Sequence, residues 1–269
     1  MNFDDDHRLG LNTPTVEAVL ANPGVLGLRP EDLAHMVPNQ RRELILGEYF
    51  AQLTSHVGKL ASDLLFKSRW TYTPPEWFDH RHHLLQPERW SNDFWTLLAH
   101  NALLTLPLNG TLLDLCSGDG FYAFHLFRKR AKEIVCVEFE EEVHLQAKRL
   151  YTADNIRYVC GDVLQYDAPE DHYDVVSIRG AIEHFSQENQ QRIFKLANRA
   201  LKVGGWFVGD TPANPDKHNT KDLPSHENEW ADEEEMRREL VCVFDRVETH
   251  TYVSVDRTTL MWRCQKSAS

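Results

Sequence analysis

From residue 111 onward, short apolar runs rich in β-branched residues alternate with longer amphipathic runs, and few folds accept that alternation. Thr111–Leu115, Ile134–Phe139, Ile156–Cys160, Asp174–Ile178 and Trp206–Gly209 read as buried strands. Tyr122–Lys132, Glu140–Tyr151 and Gln187–Leu201 read as helices between them. Parallel strands need a crossover connection, and a helix supplies it, so the pattern predicts a parallel sheet covered by helices on both faces. Lys202-Val203-Gly204-Gly205 reads as a helix stop and turn. The end of the chain breaks the rule. After a helix over Asp232–Val241, Arg246–Ser254 and Thr258–Gln265 are separated only by Val255-Asp256-Arg257, which predicts an antiparallel hairpin. The expected fold class is α/β: a doubly wound, mostly parallel seven-stranded sheet with an antiparallel C-terminal hairpin.

The first part of the chain has no such runs. Thr13-Pro14-Thr15-Val16-Glu17 and Pro30-Glu31-Asp32-Leu33 look like helix starts. Arg41–Leu65 places Leu44, Ile45, Tyr49, Phe50, Leu53, Val57, Leu60 and Leu64 at three- and four-residue spacings, an amphipathic helix in need of a partner face. Residues 70–95 are crowded with Trp70, Trp77, Phe78, His80, Arg81, His82, His83, Trp90, Phe94 and Trp95, a packed connector or a segment facing a ligand. We therefore expect an N-terminal helical extension over residues 1–104, acting as a cap or a homodimer contact, and a ligand-binding domain over 105–269.

The residues that carry chemistry stand at strand ends. Leu113-Asp114-Leu115-Cys116-Ser117-Gly118-Asp119-Gly120 follows the first strand and opens a helix. Gly118 and Gly120 let the backbone turn sharply and approach a ligand closely. Glu138 ends the next strand, where an acid can accept from a ribose diol, and Asp162 follows Cys160-Gly161 at the end of the third. Each acid alone reads equally well as a helix cap. All three at the edge where open α/β sheets bind ligands argue for a site.

With those residues in place, the chain from about residue 105 resembles the class I S-adenosylmethionine-dependent methyltransferases. Asp114–Gly120 is similar to that family's D/E-x-G-x-G-x-G motif, with Cys116 where the first glycine is usual. Tyr173-Asp174-Val175-Val176 and Leu201–Gly205 resemble its fourth-strand motif and the turn before its fifth strand. The resemblance implies S-adenosylmethionine as cofactor, S-adenosylhomocysteine as product, and a cofactor site built from Asp114, Cys116, Gly118, Gly120, Glu138, Phe139, Asp162, Val163, Arg179 and Gly180. It also implies that Arg81 lies on a segment folding over the cofactor, suited to its carboxylate. Arg179-Gly180-Ala181-Ile182-Glu183-His184-Phe185 then faces the transferred methyl, making His184, with Glu183 beside it, the catalytic candidate: a base for the acceptor proton, or a residue that orients the loop.

A second polar cluster, Asp210, Thr211, Asn214, Asp216, His218, Asn219, His226, Glu227, Glu229 and Trp230, is expected to shape the acceptor pocket. Its hard oxygen donors suit a divalent ion, but neither it nor the 14 histidines have metal-ligand spacing, so no metal site is expected. A net charge of −12 and the absence of an N/D-P-P-Y/F motif after the fourth strand disfavour a nucleic-acid substrate. Five scattered cysteines without a CxxC, and an acidic start, fit a cytoplasmic protein with reduced thiols and no membrane span. The expected acceptor is a small molecule or sugar, methylated at oxygen. Nitrogen methylation, or cofactor binding without catalysis, is the alternative.

Overall fold

The computed structural model describes residues 14–70, 79–85, 90–254 and 257–268, with only the backbone of residues 63, 66–70, 82, 83 and 90–94. Trp77, Phe78, Val255, Asp256 and the acidic start lie outside the described residues, as do the side chains of Trp70, His82, His83, Trp90 and Phe94. The chain divides into two compact units.

One unit is helical and holds the described residues 14–70 and 81–85. It comprises α1 (Val16–Ala21), a 3-10 turn over Pro23–Leu26, α2 (Pro30–Leu33), α3 (Pro38–Trp70) and α4 (His82–Leu85). Thr15 caps α1, its hydroxyl accepting from the Ala18 N–H at 3.2 Å. Asp32 closes the start of α2 by accepting from the Arg29 N–H at 2.9 Å. Val19, Leu26, Leu33, Ile45 and Tyr49 bury one small core, and the Tyr49 hydroxyl donates to the Pro14 carbonyl at 2.8 Å. α3 passes so close to α4 that a Cβ at Gly58 would lie 2.6 Å from the Leu85 carbonyl oxygen.

The other unit holds residues 79–80 and everything described from Trp90 onward. Helix α5 (Trp90–Thr105) leads into β1 (Gly110–Leu115). There follow β2 (Ala131–Glu138), α6 (Glu141–Leu150), β3 (Ile156–Cys160), β4 (Tyr173–Arg179), α7 (Gln187–Ala200) and β5 (Leu201–Pro212). α8 (Glu233–Leu240), β6 (Arg246–Val253) and β7 (Thr258–Gln265) complete it. The seven strands lie in the order β3-β2-β1-β4-β5-β7-β6. β1 to β5 are parallel, and β7 joins antiparallel to both β5 and β6. The expected doubly wound sheet with its antiparallel end is therefore present.

Both faces of the sheet are covered, so β1 is buried along its whole length. Because side chains alternate across a strand, Leu113 and Leu115 enter a core with Val176, Ile178, Phe194, Phe207 and Trp262, while Leu112 enters another with Phe127, Ile134, Val175 and Val208. Each fully buried leucine contributes about 1.5–3 kcal/mol. At Gly209 a Cβ would fall 2.1 Å from the Trp262 ring and 2.4 Å from the Ile178 carbonyl, so only glycine lets β4, β5 and β7 nest there.

Two local expectations are corrected. In place of a helix over Tyr122–Lys132 there is one wide turn, Ala123–Phe127, closed by the Arg128 N–H on the Ala123 carbonyl at 2.9 Å. β2 then starts at Ala131, because the Asn109 N–H bonds to the Arg130 carbonyl at 2.8 Å and Ala131 pairs with Gly110. The turn expected at Lys202–Gly205 is a bulge inside β5: Leu201 pairs with Tyr173 and Trp206 with Val175, and Gly204 takes φ 82° to eject the extra residues.

Candidate active site

Chain order reverses between β1 and β4, and the crevice outside the carboxyl ends of those strands is where such sheets bind ligands. The loop leaving β1 is built for close approach. Cys116, Gly118 and Gly120 have φ of 51°, 58° and 73°, all left-handed. Cys116 thus keeps the backbone conformation of the glycine it replaces, at a cost of order 1 kcal/mol. Burial, then the carboxylates of Glu138, Asp114, Glu183 and Asp162, pushes its thiol far above the ordinary range, so it is not a nucleophile. A Cβ at Gly120 would stand 2.6 Å from the Tyr158 hydroxyl, so the bare backbone is needed there.

Glu138 ends β2 with its carboxylate turned to this loop: Oε2 accepts from the Gly118 N–H at 2.9 Å and Oε1 from the Glu140 N–H at 3.0 Å. Burial raises its carboxyl above the usual range, opposed by those backbone donors. Each carboxylate oxygen has two lone pairs, so capacity remains for hydroxyl donors. Phe139 beside it is 68% exposed, an apolar face next to a hydroxyl acceptor. Asp162 lies at the end of β3 and caps a 3-10 turn, accepting from the Leu164 N–H at 2.8 Å and Gln165 Nε2 at 3.1 Å. Val163, the first residue of that turn, is buried in the core.

Asp114 is not a free acceptor. Its carboxylate takes the Ser177 hydroxyl and Arg179 Nη2, the latter at 3.0 Å. Arg179 is itself buried, with its guanidinium 4.7 Å from the Tyr122 ring centroid and its Nε lacking a hydrogen-bond partner. Gly180 follows at φ 52°, and its N–H bonds to both the carbonyl and Oδ1 of Asp210, each at 3.1 Å. Burial pushes the Asp210 carboxyl up to about 7, with Arg179 opposing and Glu183 adding to the rise.

Beyond Gly180, a 3-10 turn over Ile182–His184 presents both catalytic candidates. Glu183 is buried and accepts from the Thr211 hydroxyl at 3.0 Å. Its backbone carbonyl accepts from the N–H groups of Glu227 at 2.8 Å and Asn228 at 3.2 Å. His184 is half-buried; its Nδ1 lies 3.3 Å from the Ser225 carbonyl, and its ring meets His226 edge-on at 4.9 Å.

The structure gathers Asp114, Cys116, Gly118, Gly120, Glu138, Asp162, Arg179 and Gly180 on the strand-end edge, while Arg81 belongs to the helical unit, where its carbonyl accepts from Leu84 and Leu85 at 3.0 and 3.1 Å. Of the polar cluster after β5, Asn214, His226, Glu229 and Trp230 are buried and Asp216 and His218 exposed. Sequence reasoning passed over Asp119, which holds His80 through two hydrogen bonds, and over Thr211 and His226 as partners of the Glu183–His184 turn. The only signal for Asp119 was its position between two glycines.

Comparisons with known proteins agree with this fold. Residues 112–205 match a family described as a methyltransferase domain. Phosphoethanolamine N-methyltransferase of Plasmodium falciparum is 25% identical over 115 residues, 42% of this chain and 43% of that protein; the chain thus matches less than half of that relative's length. Among solved structures, an S-adenosylmethionine-dependent methyltransferase from Mesorhizobium loti superposes with TM-score 0.53 at 15% identity, covering 64% of this chain and 97% of the other. The N-methyltransferase NodS from Bradyrhizobium japonicum, in complex with S-adenosylhomocysteine, superposes with TM-score 0.53 at 14% identity, covering 65% and 87%. Residues 112–205 thus carry a methyltransferase domain, and the sheet has the fold of the S-adenosylmethionine-dependent methyltransferases it superposes on. The cradle fits S-adenosylmethionine, the cofactor that the resemblance implies: a loop with no Cβ at Gly118 and Gly120, and a carboxylate with lone pairs to spare at Glu138.

Proposed function

We propose that this chain methylates a small molecule or glycan, with a hydroxyl oxygen as nucleophile. The observation that carries the reading is the convergence of the left-handed Cys116–Gly120 loop and the Glu138 carboxylate at one place, joined by the Gly118 N–H at 2.9 Å. Bound S-adenosylmethionine supplies a methyl group already activated by its sulfonium charge. The protein's part is then alignment and proton removal. Glu138 accepts the ribose hydroxyls, Phe139 and Asp162 border the adenine, and the buried Arg179 Nε is a donor for the cofactor's polar end.

His184 is the proposed base. A carbonyl only accepts, so the Nδ1 facing Ser225 carries the proton and Nε2 keeps its lone pair for the acceptor hydroxyl. Glu183, buried against Thr211, positions that turn. Nitrogen methylation is the second reading. It is favoured by the N-methyltransferases among the similar proteins and by two buried carboxylates, Glu183 and Asp210, where an amine would bring its charge. No helix among the described residues is long and apolar enough to cross a membrane. We place the protein in the cytoplasm, as a homodimer through its N-terminal helices.

Calorimetric titration with S-adenosylmethionine and S-adenosylhomocysteine tests the site. One-to-one binding is expected, weakened in Glu138→Ala by about 1.5–3 kcal/mol, the value of hydrogen bonds to a charged group. Unchanged affinity in that variant would remove Glu138 from the site. Mass analysis of products from matched hydroxyl and amine acceptors decides between oxygen and nitrogen.

A further inference from the structure

The turn after β4 and the long loop after β5 bring together three metal-ligating side chains. Glu183, His184 and His226 each place one ligand atom within 4.8 Å of the other two. Sequence spacing gave no hint of this, because His226 stands in a different loop, 42 residues after His184.

We propose that Glu183, His184 and His226 form a binding site for a divalent first-row transition metal of the Zn²⁺ or Co²⁺ type. Three protein ligands leave at least one coordination position open. The donor set of two imidazoles and one carboxylate suits such ions.

The second ring nitrogens support the reading independently. A metal-bound imidazole normally donates its other N–H to a carboxylate or a carbonyl, which fixes the tautomer and aims the lone pair. Both histidines here meet that condition. His226 Nδ1 is hydrogen-bonded to the Glu229 carboxylate, and His184 Nδ1 faces the Ser225 carbonyl at 3.3 Å. Each Nε2 is left as the donor atom. Glu229 is in turn held by the Asp222 N–H at 2.9 Å and by Asn214 Nδ2. A buried histidine with an oriented carboxylate behind it stands beside a buried Glu183 that takes one neutral hydroxyl from Thr211, while the nearby ammonium groups of Lys221 and Lys217 are bonded to the His226 and Glu229 backbone carbonyls. His226 also borders a cavity of about 250 Å³ lined by Lys217, His218 and Lys221, room for a further ligand.

The ion site does not require the methyl-transfer reading, but it deepens it. Without metal, His184 Nε2 takes the acceptor proton as proposed above. With metal, His184 Nε2 would be a ligand and not the base: the ion would hold the acceptor oxygen and lower the pKa of its hydroxyl, whose proton would pass to solvent water before methyl transfer.

The test uses the full chain, free of any affinity tag, stripped with a chelator and desalted. CoCl₂ titration is followed by visible absorption, and ZnCl₂ titration by competition with a chromophoric chelator. One equivalent of each ion is expected, with the intense d–d bands of a low-coordinate cobalt site. His184→Ala and His226→Ala should each abolish those bands, and Glu229→Gln should weaken binding about 10- to 100-fold through the lost support of His226. His35→Ala, exposed in the helical unit, should change nothing. Failure of the folded protein to take up either ion would overturn the site, as would full uptake by both histidine variants. If His226→Ala does not fold, the half-buried His184→Ala carries the result. S-adenosylhomocysteine titration of the same samples separates the outcomes: cofactor binding without metal uptake refutes the ion site alone.

Discussion

His80 and Asp119 are joined twice across 39 residues: the His80 backbone N–H donates to Asp119 Oδ2 at 2.9 Å, and His80 Nδ1 lies 3.0 Å from Oδ1. The same carboxylate takes the Phe121 N–H at 3.1 Å, so one fully buried aspartate fixes the loop after β1 to the segment at residue 80. Around it the His80 ring packs on Trp95 and Tyr122 at 5.6 and 5.0 Å.

Asp119→Ala therefore strands buried donors, each costing about 1–3 kcal/mol. The melting temperature should fall by about 2–4 °C per kcal/mol lost, and S-adenosylhomocysteine should bind more weakly because the loop loosens. His80→Ala keeps the backbone bond and should cost less. Equal losses in the two variants would mean that Asp119 acts only through the imidazole.

Gly120→Ala should be far more harmful than Gly161→Ala. The first adds a Cβ 2.6 Å from Tyr158 on a left-handed backbone at φ 73°; at the second nothing lies within 4 Å. Thermal unfolding of both variants decides it, and similar melting temperatures would contradict the crowding described here.

These two cases mark what a sequence exposes. β3 and β7 occupy the predicted residues, and β1, β4 and β6 differ at their ends by one residue, because continuous or alternating apolarity is a local property. The acids Glu138 and Asp162 were legible for the same reason: they end strands. The wide turn at Ala123–Phe127 was not, since Arg128-Lys129-Arg130 has helical propensity and only pairing with β1 draws Ala131 into a strand. His226 and Asp119 were invisible as partners, because their contacts join segments far apart in sequence. Asp114 read as a ligand acceptor; its capture by Ser177 and Arg179 depends on sheet register.

Thiol labelling of the native protein should modify Cys160 and Cys242, which are exposed, and spare Cys136 and Cys264, which are buried. Cys116 should also react slowly, its thiol held protonated by burial and nearby carboxylates. Cys160 pairs in register with Glu138 at the strand-end edge. S-adenosylhomocysteine should then slow labelling at Cys160 and leave Cys242 unchanged. Equal rates with and without ligand would move the adenosine away from β3.

Asp210 sets a pH dependence in the metal-free protein. Its carboxyl is pushed up to about 7 in the folded state, mainly by burial, against about 3.9 in an unfolded chain. Between those values the unfolded chain has released a proton that the folded protein retains, so this group's contribution to stability falls as pH rises through that window and is constant above it. Asp210→Asn preserves an acceptor for the Gly180 N–H and removes the ionisation. The melting temperature of Asp210→Asn relative to the parent should rise between pH 4 and pH 8; a flat difference would mean that Asp210 is ionised throughout.

The loop after β5 has a fixed base and an exposed tip. Ala213 bridges to Trp230, the Asn214 N–H bonds to the Trp230 carbonyl at 2.9 Å, and the Glu183 carbonyl holds the N–H groups of Glu227 and Asn228. Residues 218–225 between those fastenings are exposed. The stretch is held mostly by its main chain, through the Thr220 and Ser225 carbonyls and the Asp222 N–H, so sequence drift or directed evolution can exchange exposed side chains there, and with them what the cleft admits, without disturbing the fold that presents it.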